Sequence, residues 1–95
     1  AMSEKLQWPE TVDQAVGVLI GLLPDGEKAK IAAMSQDELV ALHLGLGMWI
    51  RNNLGLWSEN SALLESARAQ NPDDASVVII EALWRRLREA TPKVH

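Results

Sequence analysis

Ninety-five residues, 47% of them hydrophobic and 23% charged, suffice for one apolar core and lie far from the composition of a disordered chain. The net charge is -4; residues 1–47 carry 3 basic and 7 acidic groups and residues 48–95 carry 6 of each, so the basic footprint that nucleic-acid binding needs is missing. With no cysteine, a disulfide framework, a thiol nucleophile, a Cys-ligated zinc and an iron–sulfur cluster are all excluded.

The first seven residues are polar and read as a disordered tail, without the charged-then-apolar layout of a signal peptide. Met2, behind Ala1, reads as the natural start. Thr11-Val12-Asp13-Gln14 has the form of a capping box, and apolar residues recur at Val12, Ala15, Val16, Leu19, Ile20 and Leu23, one face of a helix running to about Leu23. Pro24-Asp25-Gly26 predicts a turn. Glu27 to Met34 reads as a short second helix. Ser35-Gln36-Asp37-Glu38 is a second capping box, and it opens the long central helix of the chain, about residues 36–53.

Placed around that helix, Leu39, Leu42, Leu46, Trp49 and Ile50 fall on one side and Val40, Leu44 and Met48 on the other. This predicts burial on two sides, leaving only a narrow strip through Ala41, Gly45 and Asn52. Asn53-Leu54-Gly55 can supply the positive φ of a helix end. A fourth helix, capped by Ser58 or Asn60, packs Leu63, Leu64 and Ala67. Asn71-Pro72-Asp73-Asp74 is the strongest start signal: a capping Asn, a proline whose missing N–H is not needed there, and two carboxylates on the positive end of the dipole. The last helix then buries Val77, Ile80, Leu83, Trp84 and Leu87, with Arg85, Arg86 and Arg88 in its basic final turns. The expectation is an all-α bundle of about five helices over residues 8–90, with 91–95 a second tail. The only aromatics are Trp8, Trp49, Trp57 and Trp84, so these are expected to anchor its core. The longest uncharged stretch, Leu39 to Ile50, is far short of the roughly 20 residues of a membrane span. The protein is therefore expected in the cytoplasm.

The run Leu42-His43-Leu44-Gly45-Leu46-Gly47-Met48-Trp49-Ile50-Arg51-Asn52-Asn53 with Gly55-Leu56-Trp57, and the run Asn71-Pro72-Asp73-Asp74-Ala75-Ser76 with Ile79-Ile80-Glu81-Ala82-Leu83-Trp84, resemble the signature of a small bacterial family of uncharacterised proteins. With Trp8-Pro9 and Thr11 the resemblance covers about residues 8–88. It implies a stand-alone helical domain and no catalytic residues. The chain departs from the pattern at Leu44 and Leu54, where the family commonly carries aromatics.

His43, Gly47 and Arg51 are spaced by four, which sets an imidazole and a guanidinium on either side of a glycine notch that could hold a phosphate or carboxylate. Glu81, at the edge of the last helix's apolar face, could join them in acid–base work. The structural alternative has Gly47 admitting a neighbouring helix, His43 and Arg51 satisfying carbonyls or a carboxylate of the last helix, and Glu81 pairing with Arg85. Asp73 and Asp74 are explained by the helix start rather than by a metal. No nucleophile elbow, phosphate-binding loop or zinc-helix motif occurs, and no cofactor is implied. The functional expectation is a non-catalytic protein-interaction domain, adaptor or regulator, that binds another protein or a second copy of itself, with the Ala41, Gly45 and Asn52 strip and the Arg85, Arg86 and Arg88 face as its candidate surfaces. The alternative is an anion binder or enzyme using His43, Arg51 and Glu81.

Overall fold

Capping side chains set the starts of all the helices but the second in the computed structural model, which describes residues 8–57 and 60–90. Both tails read from the sequence, and Ser58, lie outside the described residues. Helix α1 is Val12–Leu22, and the Thr11 hydroxyl accepts from the Gln14 N–H at 3.0 Å. The return half of this box reaches one residue further back than expected, because Gln14 Oε1 accepts from the Glu10 N–H. Leu23 is extended, as a residue before proline should be, and Pro24 keeps that geometry as the residue preceding α2, Asp25–Ala33. Asp25 and Gly26 therefore belong to the first turn of α2 and not to a separate turn. The fixed φ of Pro24 suits a helix start as well as a helix stop.

The third helical run, α3, changes pitch along its length. It is a 3₁₀ helix over Gln36–Leu42, a π turn over His43–Gly47 and a regular α-helix over Met48–Asn53. The Glu38 carboxylate accepts from the Ser35 N–H at 2.7 Å, closing the second capping box. Gly45 and Gly47 both lie in the π turn, where glycine's weak preference for regular α geometry leaves the winding free to widen. Gly55 ends the run with φ +77°. Helix α4, Ser61–Ser66, is capped by Asn60 and closes on Arg68 at φ 56°, with the Ala69 N–H bonded to the Leu64 carbonyl. Helix α5, Pro72–Ala90, starts as expected, with Asn71 Oδ1 accepting from the Asp74 N–H at 2.8 Å.

The fold is all-α, and no strand is formed among the described residues. Its centre is α5, which every other helix contacts and whose Ala75, Ser76, Ile79, Ile80, Leu83 and Leu87 are buried. Burying each of the large aliphatics among these stabilises the fold by about 1.5–3 kcal/mol. Against α5 pack Ala15, Val16 and Leu19 of α1, Ile31 of α2, Leu39 and Ile50 of α3, and Leu63 of α4, in one aliphatic cluster.

Three expectations are corrected here. The run 36–53 is buried on one side only, since Val40, Leu44 and Met48 face solvent; α5 takes the central place because the remaining helices are too few to cover both faces of α3 as well. Val77 is exposed, lying just outside the stripe of α5 that the other helices cover. The tryptophans do not form the core: Trp49 and Trp57 are exposed, and Trp8 and Trp84 are half-buried at its rim. The Trp84 indole N–H donates to the Met34 carbonyl at 2.8 Å, which keeps one edge of the ring at the surface.

Candidate functional site

Arg51 occupies the notch that Gly47 leaves. A Cβ at Gly47 would stand 3.1 Å from Arg51 Nη1 and 3.5 Å from Ile80 Cδ1, so the glycine makes room for both the guanidinium and α5. Each nitrogen of that guanidinium is engaged. Nη1 donates to Ser76 Oγ at 3.1 Å, Nη2 reaches the His43 carbonyl at 3.5 Å, and Nε lies 3.3 Å from Asp73 Oδ1. Ser76 is itself fully buried, and its hydroxyl donates to the Asp73 carbonyl at 2.8 Å. The network fastens the end of α3 to the start of α5 and supports the π turn at its first residue.

Removing this arginine is expected to destabilise the protein by about 2–3 kcal/mol, the cost of taking a charged donor from partly buried acceptors. Arg51→Lys should recover little, because an ammonium cannot reproduce the fork. Asp73→Asn should cost less than about 1 kcal/mol, since the Asp73 side chain is exposed and its ion pair is screened. Urea unfolding of the three variants checks the ranking; Arg51→Lys matching the wild type would remove the fork from the account.

His43 and Glu81 meet elsewhere. Together with Gln36, Asp37, Val40 and Val77 they line a cleft of about 170 Å³ between the start of α3 and the middle of α5. Glu81 accepts from Gln36 Nε2 at 2.7 Å and pairs with Arg85 at 3.8 Å, one turn on. Arg51 does not line this cleft and touches His43 only through the backbone carbonyl. The three side chains do not converge on one point, and the guanidinium is turned to protein acceptors. Among the described residues, no three His, Asp or Glu side chains gather as metal ligands do. The basic turns of α5 are also engaged: Arg85 with Glu81, Arg86 with Asp13, and Arg88 stacked 5.0 Å from the Trp84 ring centre.

The feature read too narrowly from the sequence is the outer face of α3: the strip through Ala41, Gly45 and Asn52 is exposed, and it widens to take in Val40, Leu44 and Met48. Exposed residues recur in pairs, Val40 and Ala41, Leu44 and Gly45, Met48 and Trp49, Asn52 and Asn53, at a constant interval of four. A regular α-helix turns such a set by about 40° every four residues, and the wider π turn over His43–Gly47 turns it part of the way back. Val40 is 67% exposed, Leu44 82% and Met48 48%. None of the eight residues is charged. Beside the strip, Leu22, Leu23, Glu27, Gly45, Leu46 and Trp49 line an open, largely apolar groove of about 490 Å³. At the far end the Trp57 indole N–H donates to Asn52 Oδ1 at 3.0 Å, laying a further exposed ring against the last pair. The hint available in the sequence was charge: Leu39 to Ile50 has none on any side, although a half-exposed helix ordinarily carries several.

No helix among the described residues is long and apolar enough to cross a membrane. No curated protein and no solved structure matches the chain. Residues 8–87, from the tryptophan beside the α3–α4 turn to the last buried leucine of α5, match the family described as a domain of unknown function, DUF6794, and the chain belongs to that family.

Proposed function

We propose that this domain is a non-catalytic protein-interaction module of the bacterial cytoplasm, an adaptor or regulator whose contact surface is the uncharged outer strip of α3. The observation that carries the reading is the exposure of Val40, Leu44 and Met48 at intervals of four along α3, beside an apolar groove. Contiguous apolar surface of this kind mostly marks a place where another molecule docks. The same residues contribute little to the domain's own core, so its folding does not account for them. The engagement of Arg51 and Glu81 by protein partners favours this reading over an anion site.

A photo-crosslinking residue placed at Leu44 tests the proposal in cells, with the same residue at exposed Glu65 on α4 as the control. Position 44 is expected to yield discrete protein adducts and position 65 none. Equal labelling at the two positions would end the interaction reading.

A further inference from the structure

We infer that the chain lying on the α3 strip is a second copy of this protein, docked antiparallel about a two-fold axis beside Leu44 and Gly45; the inference rests on the strip being an interaction surface. A two-fold interface needs a patch that is complementary to itself, with knob and hole on the same surface. Leu44, the most exposed large apolar residue described, is the knob. The hole is the groove that Gly45 lines with Leu22, Leu46 and Trp49, and the glycine leaves its wall bare, with nothing within 4 Å of where its Cβ would be. Turning one copy about an axis between these neighbours sets each Leu44 into the other's Gly45 notch. The missing side chain at Gly45 also lets the two helices approach closely.

Charge permits a copy there and favours one direction. Each chain carries -4, yet the strip is uncharged, so two copies can meet there without opposing like charges. The first turn of α3 bears Asp37 and Glu38. Antiparallel docking sets the two acidic starts at opposite ends of the interface, whereas parallel docking would bring them together.

The area is also sufficient. Leu22 is 59% exposed, Trp49 37% and Trp57 60%, in addition to Val40, Leu44 and Met48. Counting a fully exposed large side chain as on the order of 200 Å², these six offer about 700 Å² per copy, close to the ~800 Å² per partner of a standard interface.

Sedimentation equilibrium over a range of concentrations tests the inference. The wild type is expected to approach twice the chain mass as its concentration rises, and the curve yields a dissociation constant. Leu44→Glu should raise that constant about tenfold or more, because a carboxylate must be desolvated against an apolar face. Gly45→Leu should raise it similarly by filling the hole; its side chain meets open space in the isolated chain, and circular dichroism of the monomer reads any change in the winding of the π turn separately. A wild type that stays monomeric up to several hundred micromolar, or one that dimerises equally well with both substitutions, overturns the inference. If the chain is monomeric and position 44 crosslinks only to a different protein, self-association falls and the interaction surface stands. If position 44 also crosslinks no more than position 65, both fall.

Discussion

Gly55→Ala is expected to destabilise the protein by about 3–5 kcal/mol, combining left-handed strain with the loss of a packed ring. Gly55 holds φ +77° in the turn that follows α3, a conformation costing an L-residue about 1–2 kcal/mol. The larger effect is steric. A Cβ built there would stand 2.4 Å from Trp8 Cδ2 and 2.5 Å from Cε3, so the ring lies flat on the glycine. Backbone on one side and a rigid indole on the other leave no flexible end to yield, and Trp8 would have to leave the turn. Total stability for a domain of this size is about 5–14 kcal/mol, so the substitution would remove a large part of it. Chemical denaturation in a Trp8→Ala background separates the two causes: there, Gly55→Ala should cost only the left-handed strain. An equal cost in both backgrounds would show that the ring is not the obstacle.

The second large effect is expected at Asn60, the buried amide that ties three segments together. Its Nδ2 donates to the Pro9 carbonyl at 2.8 Å and to the Leu54 carbonyl at 2.7 Å, while its Oδ1 caps α4 by accepting from the Leu63 N–H at 3.2 Å. Asn60→Asp preserves the shape and the cap but removes both donors and turns a carboxylate toward two carbonyl oxygens. The expected loss is about 3–5 kcal/mol, more than for a neutral truncation, because a buried charge is left facing acceptors. Asn60→Ala should cost about 2–3 kcal/mol, the cap plus two carbonyls left without a donor. The aspartate variant should regain stability at acid pH: the folded environment disfavours its charged form, and the protonated carboxyl recovers one donor. Urea midpoints at neutral and acid pH check this, and an Asn60→Asp variant as stable as Asn60→Ala at neutral pH would contradict the donor assignment.

These two positions mark where sequence reading stopped. Gly55 was legible as a helix end because αL capping depends on a few consecutive residues, but nothing near it announced that Trp8, 47 positions earlier, would lie on its face. Asn60 was legible as a cap, and its two carbonyl partners were not, since one of them is 51 residues away. Arg51 was legible as a candidate. That Ser76 and Asp73 would hold it depended on how α3 is set against α5.

By itself the sequence determined what short-range physics controls: the helical class, the starts at Thr11, Ser35 and Asn71, and the stop at Gly55, because caps and periodicity act within a turn or two. Only the tertiary structure decided which apolar side chains are covered. Angular placement sets Val40, Leu44 and Met48 together on one side of α3, but whether that side is core or surface depends on how many helices are left to cover it. Here α5 gathers the others around itself, and the outer face of α3 remains exposed. The same local pattern that specifies a helix is silent about its neighbours, so the strip through Ala41, Gly45 and Asn52 was legible, and its apolar width through Val40, Leu44 and Met48, on which the proposed function rests, became visible only with the packing in place.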